Sequence, residues 1–207
     1  MTATPPADTV AGYGWKRALD LTLLTLSLPL TLPLLLITGL LVAMDSRGPI
    51  VFTQRRTGRH GRRFRMYKFR TMVANAEELK ASLAHLNVLP PPDFKIPDDP
   101  RITRIGRILR KTSLDELPQL INVARGEMSL VGPRPTSFSS DTYRLWHTER
   151  LEVTPGLTGL WQIMARGECT FDERLRLDIE YIDRMSVWED LRIIGLTVLS
   201  VVRRSGV

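Results

Sequence analysis

The chain has 207 residues, of which 43% are apolar and 25% charged, and a net charge of +7. These values suit one domain with a sizeable core and an anionic partner, whether nucleic acid, a phosphate-bearing substrate or acidic headgroups. A single cysteine, Cys169, excludes an intrachain disulfide, and three scattered histidines, His60, His85 and His147, argue against a zinc centre or a Cys–His nucleophile pair.

Residues 1–14 are polar and Pro-containing and are expected to form a disordered tail. From Leu21 to Met44 no residue is charged and twelve are leucine. A straight helix of this length, at ~1.5 Å per residue, would cross a ~30 Å hydrocarbon core. Pro29 and Pro33 fall inside it, each removing a backbone donor at ~3 kcal/mol, so a break is expected that leaves two arms too short to span alone. Lys16 and Arg17 precede the segment, and arginines from Arg47 to Arg70 follow it with no acid between Asp45 and Glu77. Because Lys and Arg stay on the cytoplasmic side, a re-entrant hairpin over 15–45 satisfies both flanks, whereas a full span must export one of them. The stretch exceeds the ~7–15 apolar residues of a signal peptide core.

Beyond the hairpin, residues 46–207 are expected to form one domain. Ile50–Gln54 and Phe64–Phe69 read as short strands around a turn at 58–61, and Ala74–Leu86 reads as a helix ended by Pro90–Pro92. A short helix is expected over Pro118–Arg125 with Gly126 as its stop, followed by a rigid loop over Met128–Pro135. Asp141–Glu152 looks helical, and Pro155–Gly156 marks a turn. Phe171–Met185 is a charged helix with Leu175, Ile179 and Ile182 as its apolar stripe. Trp188–Arg204 is amphipathic, suited either to a membrane interface or to packing on the core.

The chemistry centres on Asp115 and Glu116. Ser113 and Glu116 have capping-box spacing, which would make the acids a helix cap. Pro118 favours the first position of a helix, which instead leaves both acids in the preceding loop. On either register they lie near a positive helix end that favours ionised carboxylates. Lys68, Arg70, Arg110, Arg134 and Arg166 supply matching cations. Arg134 stands between two prolines in Gly132-Pro133-Arg134-Pro135, a frame that can hold one guanidinium rigid for a phosphate. Phosphoryl transfer requires mainly positioning and charge neutralisation, and these are its parts. A membrane-anchored basic scaffold is the rival class, but the arginines are interleaved with Pro, Gly and aromatic residues rather than forming a polybasic run.

The order Lys16-Arg17-x-x-Asp20, Tyr67 to Met72, Asp99 to Thr103, Ser113 to Leu120, Met128 to Pro135 and Pro155 to Gln162 closely resembles the bacterial sugar transferase family, the monotopic polyprenol-phosphate phosphoglycosyl transferases, in their minimal form. The resemblance runs from about Trp15 onward. It implies an α+β fold, mostly α, with a re-entrant helix–break–helix and a small catalytic domain carrying interfacial helices on the cytoplasmic face of the bacterial inner membrane. It implies transfer of sugar 1-phosphate from a UDP-sugar to polyprenyl (undecaprenyl) phosphate, with release of UMP. Asp115 would be the nucleophile of a covalent aspartyl-phosphosugar intermediate, and Glu116 would hold Mg²⁺. Lys68 and Arg110 would meet phosphate oxygens, Arg166 the nucleotide, and Arg134 a phosphate or a structural partner. Pro33 matches the family's membrane break, and Pro29 adds a second proline upstream. A nucleic-acid partner is not expected; a homodimer is compatible with the family.

Overall fold

Leucine-rich sequence makes the first element. The computed structural model describes residues 13–88, 94–137, 145–164 and 170–203, so the tail expected over 1–14 lies almost wholly outside them. Helix α1 runs Tyr13–Asp45 as one continuous element with Pro29 and Pro33 inside it. The expected separation into two arms is therefore not seen as an interruption of the helix. The donors that the prolines lack would have served the carbonyls of Thr25 and Pro29. Nearby, the hydroxyls of Thr25, Ser27 and Thr31 donate to the carbonyls of Leu21, Leu24 and Ser27 at 2.8, 2.8 and 3.0 Å. Polar groups satisfied within their own helix can lie in hydrocarbon, and both this back-bonding and proline favour curvature.

Both ends of α1 dock on the rest of the molecule. At one end Lys16 pairs with Asp190 at 2.5 Å and donates to the Tyr181 hydroxyl at 2.9 Å. Asp20 accepts from the Ser129 hydroxyl and the Leu130 amide at 3.0 and 2.9 Å. At the other end Val42 packs in a buried cluster with Phe69 and Leu109, and Asp45 accepts from the Ile105 amide at 3.3 Å. Most leucines between these ends are exposed, Leu26, Leu30 and Leu36 at 72%, 69% and 68%.

Strands β1 (Val51–Thr57) and β2 (Arg63–Phe69) form an antiparallel hairpin in register from Val51↔Phe69 to Thr57↔Arg63. Side chains two apart on a strand share a face. Met66, buried with Val123 and Met128, thus aims Lys68 across the same surface. The expected helix over 74–86 shortens to α2 (Glu78–Ser82) and a 3₁₀ turn, Ala84–Leu86.

Helix α3 (Arg104–Thr112) starts with the Thr103 side chain accepting from the Gly106 amide and ends at Ser113, which is left-handed at φ 58°. Gly106 allows close approach: a Cβ there would lie 2.1 Å from the Thr71 carbonyl oxygen. A 3₁₀ segment, Leu114–Gln119, follows directly and leads into α4 (Leu120–Arg125), which stops at Gly126 with φ 76°. The sequence pattern missed strands β3 (Ser129–Val131) and β4 (Gly156–Thr158), which pair in parallel. Of the helix expected over 141–152, the described part is a 3₁₀ segment, Leu145–Leu151.

Helix α5 (Leu160–Met164) precedes α6 (Phe171–Arg184), where Thr170 and Glu173 form a true capping box. Helix α7 (Val187–Val202) buries Ile193 against Val131, Leu160 and Tyr181 while leaving Trp188 81% exposed. One side of α7 is thus core and another faces outward. His147 is buried against Trp146 and Phe171.

Candidate active site

Ser113 decides the register of the acidic pair. Its left-handed backbone closes α3, and its side chain caps nothing, so the capping-box reading fails. Asp115 and Glu116 lie in the first turn of the 3₁₀ segment, free to use their carboxylates elsewhere.

Glu116 is held twice. Lys68 Nζ meets Oε1 at 2.7 Å, while Arg134 donates to Oε1 at 2.5 Å and to Oε2 at 3.3 Å. Burial works to raise the Glu116 pKa, but the Arg134 and Lys68 charges outweigh it and hold the carboxyl well below its usual range. Charge-assisted pairs of this kind are the strong ones. Burial in turn lowers the Lys68 pKa despite Glu116, and Glu116 raises that of Arg134.

Asp115 differs from its neighbour. It is half-buried, and among the described residues its carboxylate has no hydrogen-bond partner. Burial raises its pKa above the usual value and the Glu116 charge adds to this, while Lys68, Arg110 and Arg134 oppose. The result is an unpaired carboxylate inside a ring of cations. Arg110 is steadied from the side, its Nε donating to Thr71 Oγ1 at 2.9 Å, and burial lowers its pKa while Asp115 raises it.

Lys68, Arg110, Asp115, Glu116 and Arg134 are thus brought together. Arg70, expected at a phosphate, is not among them: its guanidinium donates to the carbonyls of Val42, Ser46 and Pro49, tying down the end of α1. Adjacent strand residues point to opposite faces, which is why Lys68 reaches Glu116 and its neighbour Phe69 packs on α1. Arg166 lies outside the described residues.

The Arg134 loop is fastened by contacts that the sequence did not reveal. The Pro133 carbonyl accepts from the Gly156 amide at 2.9 Å and the Arg134 carbonyl from the Arg150 guanidinium. Arg150 pairs with Asp178 on α6 at 2.7 Å. Asp178 occurs three residues after Leu175, on the apolar stripe of α6, and a charge in that stripe was the available signal; nothing marks Arg150.

Among the described residues no group of three or more His, Cys, Asp or Glu side chains stands ready for a metal. Two carboxylates alone do suit Mg²⁺, which keeps waters and is bound through one or two carboxylates plus substrate phosphates. Glu116 Oε2 is the more lightly held of its oxygens, so Glu116 fits an ion that arrives with a diphosphate.

The family model for bacterial sugar transferases matches residues 11–204. The chain belongs to the bacterial sugar transferase family. Among its curated relatives, this family member is 49% identical over 161 residues to the galactosyl transferase CpsE of Streptococcus agalactiae, an alignment covering 77% of this chain and 36% of that protein. It is 42% identical over 196 residues to the undecaprenyl-phosphate galactose phosphotransferase of Salmonella typhimurium, covering 92% of this chain and 41% of the relative. The exopolysaccharide production protein ExoY of Rhizobium meliloti is 38% identical over 197 residues, covering 90% of this chain and 84% of that protein. The chain thus spans about two fifths of the first two relatives and most of the third.

Proposed function

We propose that this sugar transferase moves sugar 1-phosphate from a UDP-sugar to polyprenyl phosphate in two steps through Asp115. The observation that carries this reading is the contrast within the acid pair: Glu116 is clamped by Lys68 and Arg134, whereas Asp115 has no hydrogen-bond partner among the described residues and is surrounded by cations. A ligand to structural cations would be paired; a nucleophile must be free to approach phosphorus. Relatives named for phosphotransfer on undecaprenyl phosphate support the same class.

In the first step an Asp115 oxygen attacks the sugar-linked phosphorus, and the bond to the bridging oxygen breaks. UMP leaves with that electron pair, and the sugar phosphate stays esterified to Asp115. In the second step an oxygen of the lipid phosphate attacks the same phosphorus, and the Asp115 carboxylate departs unchanged. Arg110, Lys68 and Arg134 supply fixed positive charge where the phosphoryl oxygens gather negative charge. Glu116 keeps Lys68 and Arg134 in place before the donor arrives. Glu116 would hold Mg²⁺, which when bound supplies charge neutralisation at the diphosphate.

The acceptor's location follows from α1. Its exposed central leucines would each forfeit ~1.5–3 kcal/mol in water, so this stretch belongs in lipid. Both its ends pack on the same catalytic body, which a perpendicular span would place on opposite sides of the bilayer. A re-entrant α1, bent near Pro29 and Pro33, keeps that body on the cytoplasmic face of the bacterial inner membrane. Trp188 and the outer side of α7 then rest at the interface. Single-turnover release of UMP with Mg²⁺, a panel of UDP-sugars and no lipid acceptor tests the chemistry: one UMP per active site is expected, and no release from any donor refutes it.

A further inference from the structure

Arg134 sits between Pro133 and Pro135, whose rings fix their own φ and restrict the residue before each to extended backbone. The torsions left free in this loop are chiefly Pro133 ψ and Arg134 φ, which set where the Arg134 carbonyl and side chain point. The neighbouring carbonyls are held by strand partners: Pro133 by the Gly156 amide at 2.9 Å, Thr136 by the Thr57 amide at 2.9 Å, and Pro135 by Arg56 at 3.4 Å. The Arg134 carbonyl is held by the guanidinium of Arg150, itself only 5% exposed.

Among the described residues Arg150 has one further charged partner, Asp178, which is 1% exposed near the middle of α6. Burial pushes the Asp178 pKa up to about 7, against the opposing charges of Arg150, Arg174 and Arg134. Replacing a buried pair by apolar residues is commonly neutral or stabilising, because desolvation offsets the attraction. Stability alone is thus a weak reason for burying these two charges beside the loop. What the pair does geometrically is fix the peptide from which the Arg134 side chain reaches Glu116 at 2.5 Å.

We propose that Arg150 and Asp178 are positioning residues, a buried pair that pins the Arg134 carbonyl and so aims the Arg134 guanidinium at Glu116 and the transferring phosphate. This assigns α6 a part in the reaction although it contributes no group to the reacting atoms. The inference rests on the proposed transfer reaction. A loosened guanidinium still attracts a diphosphate, so binding changes little, whereas charge stabilisation in the transition state depends on fixed geometry.

The test is a double-mutant cycle on UMP release, with Asp178→Asn and Arg150→Lys each made alone and combined with Arg134→Lys, initial rates taken across donor concentration, and circular dichroism and melting recorded for every variant. Each single substitution is expected to lower kcat about 10- to 100-fold with KM within about 3-fold of wild type. In the Arg134→Lys background the same substitution is expected to cost less than about 2-fold, because neighbours that act through one group are not additive. A folded variant with wild-type kcat overturns the proposal, as does an equal loss in both backgrounds, which marks a general structural role. If Asp178→Asn does not fold, Arg150→Lys, which keeps a charge facing Asp178 but shortens its reach to the carbonyl, completes the cycle. Failure of both to fold also counts against the proposal, since the pair would then serve folding itself. Wild type that releases no UMP refutes the transfer reaction, whereas active wild type with unaffected variants refutes only the positioning pair.

Discussion

Two neighbouring carboxylates acquire different roles from what surrounds them. Asp115→Asn preserves shape and removes the attacking oxygen, so intact-mass measurement should show no sugar-phosphate adduct and turnover should fall by at least about 10³-fold. Glu116→Gln should act through stability as well as rate. It leaves Lys68 and Arg134 facing a neutral amide, a loss of about 3 kcal/mol, or ~6–12 °C in Tm. The sign with pH follows from the depressed folded pKa of Glu116. A carboxyl lowered on folding contributes stability that is present above its unfolded pKa and lost as pH falls through the folded one. In metal-free buffer the Tm gap between wild type and Glu116→Gln should therefore be full at pH 7 and shrink on acidification below the ordinary glutamate range; a gap independent of pH would contradict the clamp. The acids and most of their cations were legible in the sequence, but the Ser113–Glu116 spacing suggested a cap. Spacing does not reveal that Ser113 adopts φ 58° and closes the helix before it, nor that Arg70 turns back to the end of α1.

At the scale of elements, the periodic segments were the readable ones. The hairpin strands, the Gly126 stop and the amphipathic α6 and α7 follow from local pattern and turn chemistry. Strands β3 and β4 did not, because each is three residues long and its partner lies more than twenty residues away. The Lys16–Asp190 pair likewise depends on neighbours that no short window contains. That pair links α1 to α7 in a site where both residues are almost wholly buried. Asp190→Asn should cost about 3–5 kcal/mol by leaving Lys16 unpaired, and Lys16→Met with Asp190→Leu should recover most of it, read by melting in detergent. A double variant as unstable as the single one would mean that the cluster is held by something other than this pair. The course of α1 can be checked with single cysteines replacing Gly14 or Lys95 in a Cys169→Ser background. Both should react with a membrane-impermeant reagent from the same side of oriented vesicles, and labelling from opposite sides would establish a span.

For the molecule as a whole, the charge of +7 and the concentration of apolar surface on α1 and α7 describe one device. In the proposed reaction a lipid-facing side would bring a phosphate-headed acceptor to the surface, and the cationic site would receive the donor. Composition anticipated an anionic partner but could not separate lipid, nucleotide and nucleic acid; the convergence of Lys68, Arg110 and Arg134 around an Asp115 unpaired among the described residues favours a phosphate at that point. A covalent two-step reaction requires the first product before the second substrate is present. The most direct measurement incubates wild type and Asp115→Asn with Mg²⁺ and the UDP-sugar that the wild type turns over, without lipid acceptor. Wild type should release one UMP per active site and gain the mass of one sugar phosphate on the peptide containing Asp115, with neither event in the variant. Release of UMP only after polyprenyl phosphate is added, with no adduct at any time, would contradict the covalent role of Asp115.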